Sequence, residues 1–196
     1  MARRAFLVLA AGLIAAAAFA QTTEPAYLQF NDGVGFSVGR ISGYGISFRH
    51  WFSEKVGLQV CAGGLYFPSE PGSGWIDYGT LLQYWSGLEV FRSLYATEFT
   101  KWLFGQVYLF AGATHYGNIP WEATLNEDGY TYTYTPGVYV PGFGLGGGVG
   151  IEMTLFRHFS MVFELGYAAF WEPSSAAFKD QLSVDLVPQG VAQFRY

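Results

Sequence analysis

Gly142-Phe-Gly-Leu-Gly-Gly-Gly-Val-Gly-Ile-Glu-Met-Thr-Leu155 alternates with a period of two over fourteen residues. One parity is Gly142, Gly144, Gly146, Gly148, Gly150, Glu152 and Thr154; the other is Phe143, Leu145, Gly147, Val149, Ile151, Met153 and Leu155. Period two marks an extended strand whose two faces meet different surroundings. One face is large and apolar, while the other carries almost no side chain and ends in a carboxylate. A strand of a soluble sandwich would turn its bulk toward a packed core and ordinary polar residues toward water. Here the sparse face suits a crowded interior and the greasy face needs an apolar medium, as in a narrow membrane barrel. The run also contains Gly142-x-Gly144-x-x-Gly147, which matches the dinucleotide-binding expression. That fingerprint needs a glycine turn between a strand and a helix, and this alternation continues through Leu155 with no helical period, so the match is fortuitous.

Working outward, eight segments alternate in this way, at about 28–40, 43–52, 56–67, 76–94, 103–116, 137–155, 159–171 and 182–196. In 43–52 the outer parity is Tyr44, Ile46, Phe48 and Phe52, against Gly45, Ser47, Arg49 and Trp51 inside. In 56–67 Val56, Leu58, Val60, Ala62 and Tyr66 oppose Gly57, Gln59, Cys61 and Gly63. In 159–171 Phe159, Met161, Phe163, Leu165 and Tyr167 oppose Ser160, Val162, Glu164 and Gly166. Segment 103–116 puts Val107, Leu109, Ala111 and Ala113 outside and Gln106, Tyr108, Phe110, Gly112 and Thr114 inside. The first segment begins somewhere between Ala26 and Gly33. With the N-terminus on the periplasmic side, the connections there are Ser53-Glu-Lys55, Tyr95–Trp102 and Arg157-His158. The opposite side receives Ile41-Ser42, Phe67–Trp75, Gly117–Pro136 and Glu172–Gln181. Short turns on one side and mostly long loops on the other is the outer-membrane barrel pattern. The Tyr130-Thr-Tyr-Thr-Tyr-Thr135 run still alternates, so that hairpin is expected to project beyond the membrane as a twisted ribbon.

Composition agrees. Aromatics make up 19% of the chain and charged residues only 13%, yet no segment after residue 20 holds eighteen consecutive apolar residues, which points to spanning strands over helices. Arg3 and Arg4, the apolar stretch Phe6 to Ala18, and Ala18-Phe19-Ala20 read as a secretory signal peptide over residues 1–20. The barrel domain then occupies 21–196. A transmembrane anchor is the alternative, but the apolar stretch falls short of the roughly 20 residues a spanning helix needs. Without Arg3 and Arg4, eight basic residues face fifteen acidic ones, against nucleic-acid binding, which calls for a basic stripe. The lone Cys61 allows no intramolecular disulfide and reads as a packed side chain.

Gln189 to Tyr196 turns from polar to Phe194 and Tyr196 on one face. This resembles the terminal-strand signature of bacterial outer-membrane proteins, with Val191 where the signature has Gly. With the eight strands and the leader, the mature chain resembles small eight-stranded outer-membrane barrels of the OmpX, OmpA and opacity-protein type. The stretch Gly43-Tyr-Gly-Ile-Ser-Phe-Arg-His-Trp-Phe52, followed by Glu54-Lys-Val-Gly-Leu-Gln59, is similar to the second hairpin of such barrels. The resemblance implies an all-β, eight-stranded antiparallel up-and-down transmembrane β-barrel. It also implies outer-membrane lipids as surroundings and the barrel-assembly machinery as a partner during insertion. Barrels of this kind serve as adhesins, stabilisers, narrow pores or lipid enzymes, so the fold leaves the task open.

Parity places Arg49, Glu89, Glu152, Glu164, Asp185 and Arg195 in the lumen, mostly in its periplasmic half. Buried charges must be paired. One reading is a salt-bridged plug completed by Gln59, Gln83 and Gln106; the other is an ion or proton path. Eight strands leave a lumen that side chains just fill, and Trp51, Trp85, Tyr108 and Phe110 also point inward, which favours the plug. A lipid-modifying enzyme would need a histidine with a serine or acidic partner near the outer leaflet. His115 lies there, but no recognisable spacing links it to Ser174, Ser175 or Glu172, and it reads more simply as part of an aromatic girdle with Tyr116 and Trp121. Neither catalysis nor a metal or other cofactor is expected. The loops carry Trp75, Trp121, Tyr130, Tyr132 and Tyr134 with few charges. These suit contact with an extracellular protein, or equally cross-strand support of a projecting hairpin. A soluble lipocalin-like barrel would also have eight strands, but with a polar exterior and an apolar interior. The expectation is therefore a plugged barrel with a structural or surface-interaction role, with a narrow channel and a lipid-modifying enzyme as the rivals.

Overall fold

The computed structural model describes residues 30–68, 79–127, 130–173 and 182–196. The signal-peptide assignment and Trp75 lie outside these residues. The strands are β1 (Asp32–Gly39), β2 (Gly43–Trp51), β3 (Val56–Tyr66), β4 (Thr80–Thr100), β5 (Leu103–Leu125), β6 (Tyr132–Pro136), β7 (Val140–Leu155), β8 (Phe159–Trp171) and β9 (Leu182–Arg195). All pairings are antiparallel. Each strand pairs with its sequence neighbour except that β6 and β7 do not pair; β5 pairs with β7 instead, and β9 returns to β1. The result is an eight-stranded antiparallel up-and-down barrel with β6 standing outside the ring, bonded to the upper part of β5 alone.

Two boundaries differ from the sequence reading. The Tyr95–Trp102 connection is not a loop. β4 runs to Thr100 and returns through a turn at Lys101-Trp102, where the Thr100 hydroxyl accepts from the Leu103 amide at 3.1 Å. The β4–β5 register shifts between Ser93 and Tyr95 and again between Glu98 and Thr100. Such bulges flip side-chain parity, so a strict period-two reading stops at the first of them. At the other end β5 continues past Tyr116 to Leu125, and Trp121–Leu125 pairs with Tyr132–Pro136 in the expected projecting ribbon.

The two surfaces of the wall are inverted relative to a soluble protein. Ile46 is 70% exposed, Leu145 69% and Val184 67%, and Phe36, Phe163, Leu186 and Phe194 on neighbouring strands are exposed as well. Inward positions are buried, and many of them are polar, including Ser47, Arg49, Gln59, Glu89, Glu152 and Glu164. A polar interior and a greasy exterior are the reverse of the lipocalin arrangement.

The glycine parity of β7 is explained by what stands over it. A Cβ on Gly142 would lie 2.2 Å from the Tyr116 ring, on Gly144 2.7 Å from Phe170, and on Gly150 2.4 Å from Tyr108. On Gly146 it would meet the Ile41 side chain at 2.6 Å. Large inward side chains from β5, β8 and the β1–β2 turn fill the space the glycines leave, which is how a narrow barrel reaches interior packing density.

Candidate functional site

The lumen holds one connected polar cluster, built by facing strands. Arg49 of β2 is its hub. Its Nε donates to Gln59 Oε1 at 2.9 Å, its Nη1 to Glu152 Oε2 at 3.1 Å, and its Nη2 to Glu164 Oε1 at 3.2 Å. Both terminal nitrogens also reach the Tyr108 hydroxyl at 3.3 Å, and that hydroxyl donates to Glu164. The guanidinium carbon sits 4.4 Å from the centre of the Phe91 ring, within an aromatic trio of Trp51, Phe91 and Tyr108. Gln189 of β9 knits the carboxylates together, its Nε2 donating to Glu89 Oε1 at 2.6 Å and to Glu164 Oε2 at 2.7 Å. Gln59 Nε2 donates to the other oxygen of Glu89 at 3.3 Å. Lower down, Glu152 Oε1 accepts from Gln193 at 3.3 Å and lies 3.6 Å from Arg195 Nη1. Thus Arg49, Glu89, Glu152, Glu164 and Arg195 come together in one buried cluster.

Asp185 does not join them. It faces inward at the loop end of β9, where its Oδ2 pairs with Arg40 Nη1 at 2.7 Å, with both side chains about two-fifths exposed. The reason is distance along the strand, since Gln189 and Gln193 stand between Asp185 and the lower charges. Gln106, expected to complete the plug, is buried with neither amide atom bonded among the described residues, whereas Gln59 does take part. Gln83 is half-buried toward the loop end. Trp85 is also only half-buried and packs its ring 5.1 Å from Tyr44.

The loop end of the lumen has a second closure that period-two reasoning could not show. The β1–β2 turn folds into the barrel, and Ile41 is 0% exposed. Its backbone amide and that of Ser42 donate to Gln189 Oε1 at 3.3 and 3.1 Å. Ser42 also accepts from Ser37 at 2.8 Å. Gly43, with φ of 87°, supplies the left-handed conformation that turns the chain back into β2. Arg40 lies over Phe170 at 3.6 Å, and Tyr116 donates to Glu172 at 2.8 Å, completing the rim. Gln189 and Gln193 were legible by parity as inward residues; Ile41 was not, because turns carry no alternation.

On the outer surface, both ring nitrogens of His115 lie 3.3 Å from the Tyr84 hydroxyl, which also bonds Tyr139. Its ring packs on Phe143 at 4.8 Å. Glu172, a catalytic partner considered for it, is held by Tyr116 instead. In the projecting ribbon Tyr130 is 90% exposed, Tyr132 is exposed, and Trp121 and Tyr134 are half-buried.

No family model matches the chain, and no curated protein does. Among solved structures it is similar to the N-terminal β-barrel domain of Pseudomonas aeruginosa OprF. That match has 11% identity and a TM-score of 0.44, over 84% of this chain and 95% of that one. It is also similar to Acinetobacter baumannii CarO, at 11% identity and a TM-score of 0.34 over 88% and 100% of the two chains. A third is the Yersinia pestis outer membrane protein Ail, at 11% and 0.33 over 84% and 97%.

Proposed function

We propose that this chain is an outer-membrane β-barrel with a plugged lumen and no catalytic role. In this reading it acts structurally or through extracellular contacts of its long loops. The observation that carries the reading is the inversion of the wall. Exposed Phe, Leu, Ile and Val side chains recur on outward positions around the ring, far more apolar surface than a soluble monomer tolerates. The polar groups needed to hold water or pair charge are turned inward. Export by the N-terminal leader and insertion by the barrel-assembly machinery belong to the same reading. The short turns and both strand termini then lie on the periplasmic side, and the β5–β6 ribbon outside the cell. Cell fractionation with a detergent gel tests it: the band should be in the membrane fraction and shift between unboiled and boiled samples. Recovery in the soluble fraction would refute it.

The Arg49 cluster and the Ile41 side chain, stacked in one narrow lumen, support the plug. Protein reconstituted in planar bilayers should show no steady conductance, and a reproducible open channel would favour a narrow porin instead. The exposed Tyr130 and Tyr132 support a protein partner for the ribbon, since aromatic anchors are the usual centres of such contacts. A Tyr130→Ala/Tyr132→Ala variant should then lose surface binding with its heat shift intact.

A further inference from the structure

The end of the barrel that carries the short turns has two features that the plug and the loops leave unexplained. The first is strain. The β7–β8 connection spans three residues, 156–158; the His158 amide on the Leu155 carbonyl at 3.1 Å closes a β-turn whose central residues are Phe156 (φ 52°) and Arg157 (φ 67°). Turns with positive φ at both central positions ordinarily take Asn-Gly, and a side chain there costs about 1–2 kcal/mol per residue. Here they hold a phenylalanine and an arginine, both exposed.

The second is charge. Among the described residues, four of the five exposed cations lie at this end: Lys55, Arg92, Lys101 and Arg157. None of these four is ion-paired among the described residues, whereas Arg40 at the opposite end is paired to Asp185. Two of them converge. The Phe156 amide donates to the Trp102 carbonyl at 2.7 Å, and the Trp102 and Phe156 rings stack at 5.9 Å, which joins the β4–β5 and β7–β8 turns. Lys101, Arg157, Glu98, Thr100 and Trp102 line the cleft between the turns. Its three charged side chains sum to a net positive charge. Trp102 and Phe156 are exposed beside it, as are Phe99 and Phe159 on the adjoining strands.

We infer that this cleft binds the phosphate of a phospholipid in the periplasmic leaflet. Lys101 and Arg157 hold the phosphodiester, and Trp102 and Phe156 pack on the glycerol and upper acyl chain. The inference rests on the membrane reading above. A lipid fits better than a free anion because the cations stand at the edge of the apolar band, where amphipathic aromatic rings and headgroups share one depth. The strained turn then has a use: a left-handed pair aims Phe156 onto Trp102 while presenting Arg157 beside Lys101, a placement that an Asn-Gly turn would forfeit.

The test is native mass spectrometry of the full chain, released from detergent micelles doped with palmitoyl-oleoyl phosphatidylglycerol. The wild type should retain one lipid. Lys101→Gln with Arg157→Gln should bind about thirtyfold more weakly, and Lys101→Arg with Arg157→Lys should keep the lipid. Lys55→Gln with Arg92→Gln removes equal charge from the same end and should leave retention unchanged. Equal loss in both charge-neutralised doubles would reduce the effect to diffuse attraction and overturn the site. Displacement of the lipid by millimolar inorganic phosphate would overturn the choice of occupant. A heat-shift gel on the same samples separates the two failures. A wild type that shifts but retains no lipid refutes the cleft alone, and one that does not shift refutes the membrane barrel.

Discussion

The two halves of this lumen are filled by opposite chemistry. In the half toward the short turns, long charged side chains from β2, β7, β8 and β9 meet and satisfy one another through Arg49, Tyr108 and Gln189. In the half toward the long loops the filling is apolar and comes from above. Ile41 drops from the β1–β2 turn onto Gly112 and Gly146, with Phe170 and Tyr116 beside it. The wall differs to match. β7 offers Glu152 and Thr154 below, and glycine at every inward position from Gly142 to Gly150 above them. A polar plug needs partners on several strands at one level, while an apolar closure needs only room. Gln189 joins the two, donating to Glu89 and Glu164 below and accepting from Ile41 and Ser42 above.

That contrast is broken most forcefully at Arg49. Arg49→Ala leaves Glu152 and Glu164 buried, with Glu164 stripped of its only ion pair among the described residues. A loss of about 3–5 kcal/mol is expected, read from urea unfolding of the barrel refolded in detergent or lipid. Pairing Arg49→Met with Glu164→Gln should recover part of that loss, because the second change removes the stranded charge. If the single variant costs under about 1 kcal/mol, the cluster is not a desolvated plug. The apolar half should respond on a smaller scale. Ile41→Ala vacates a fully buried site whose lining is glycine and ring edges, and an isoleucine truncation of this kind costs about 2–4 kcal/mol. Planar bilayers sharpen the comparison, for Ile41→Ala should remain non-conducting with the lower plug intact. A steady current in that variant would make the turn the sole seal.

How far the sequence alone carried the fold is seen strand by strand. The parity of β2, β3, β7 and β8 was legible residue by residue, because one face of each meets lipid and the other a crowded interior, so apolar and small or polar residues must alternate. The same parity put Arg49, Glu89, Glu152, Glu164 and Arg195 inside. It did not show which of them touch, since contact across the lumen depends on the stagger of the closed ring, a property of all eight strands together. It stopped at Ser93, where a bulge shifts the register and disguises the six strand residues Tyr95–Thr100 as a connection. It had nothing to say about Ile41, whose burial depends on a turn folding inward.

Asp185 gives the smallest effect and the most direct check on where the two halves divide. Parity alone groups it with the buried carboxylates, yet it pairs with Arg40 at the open rim, where both partners remain about two-fifths exposed to water. An ion pair so placed gains little Coulomb energy over hydration, and removing it is expected to cost about 0.2–1 kcal/mol. Arg40 keeps its position over Phe170, so its packing survives the loss of the partner. Asp185→Asn should therefore unfold within about 1 kcal/mol of the wild type, with a difference that shrinks further as salt is raised. Glu152, two strands away and fully buried, should show no such salt dependence when changed to Gln. If Asp185→Asn proved as costly as Arg49→Ala and indifferent to salt, the rim would be as dry as the plug, and the lumen would be one continuous charged core.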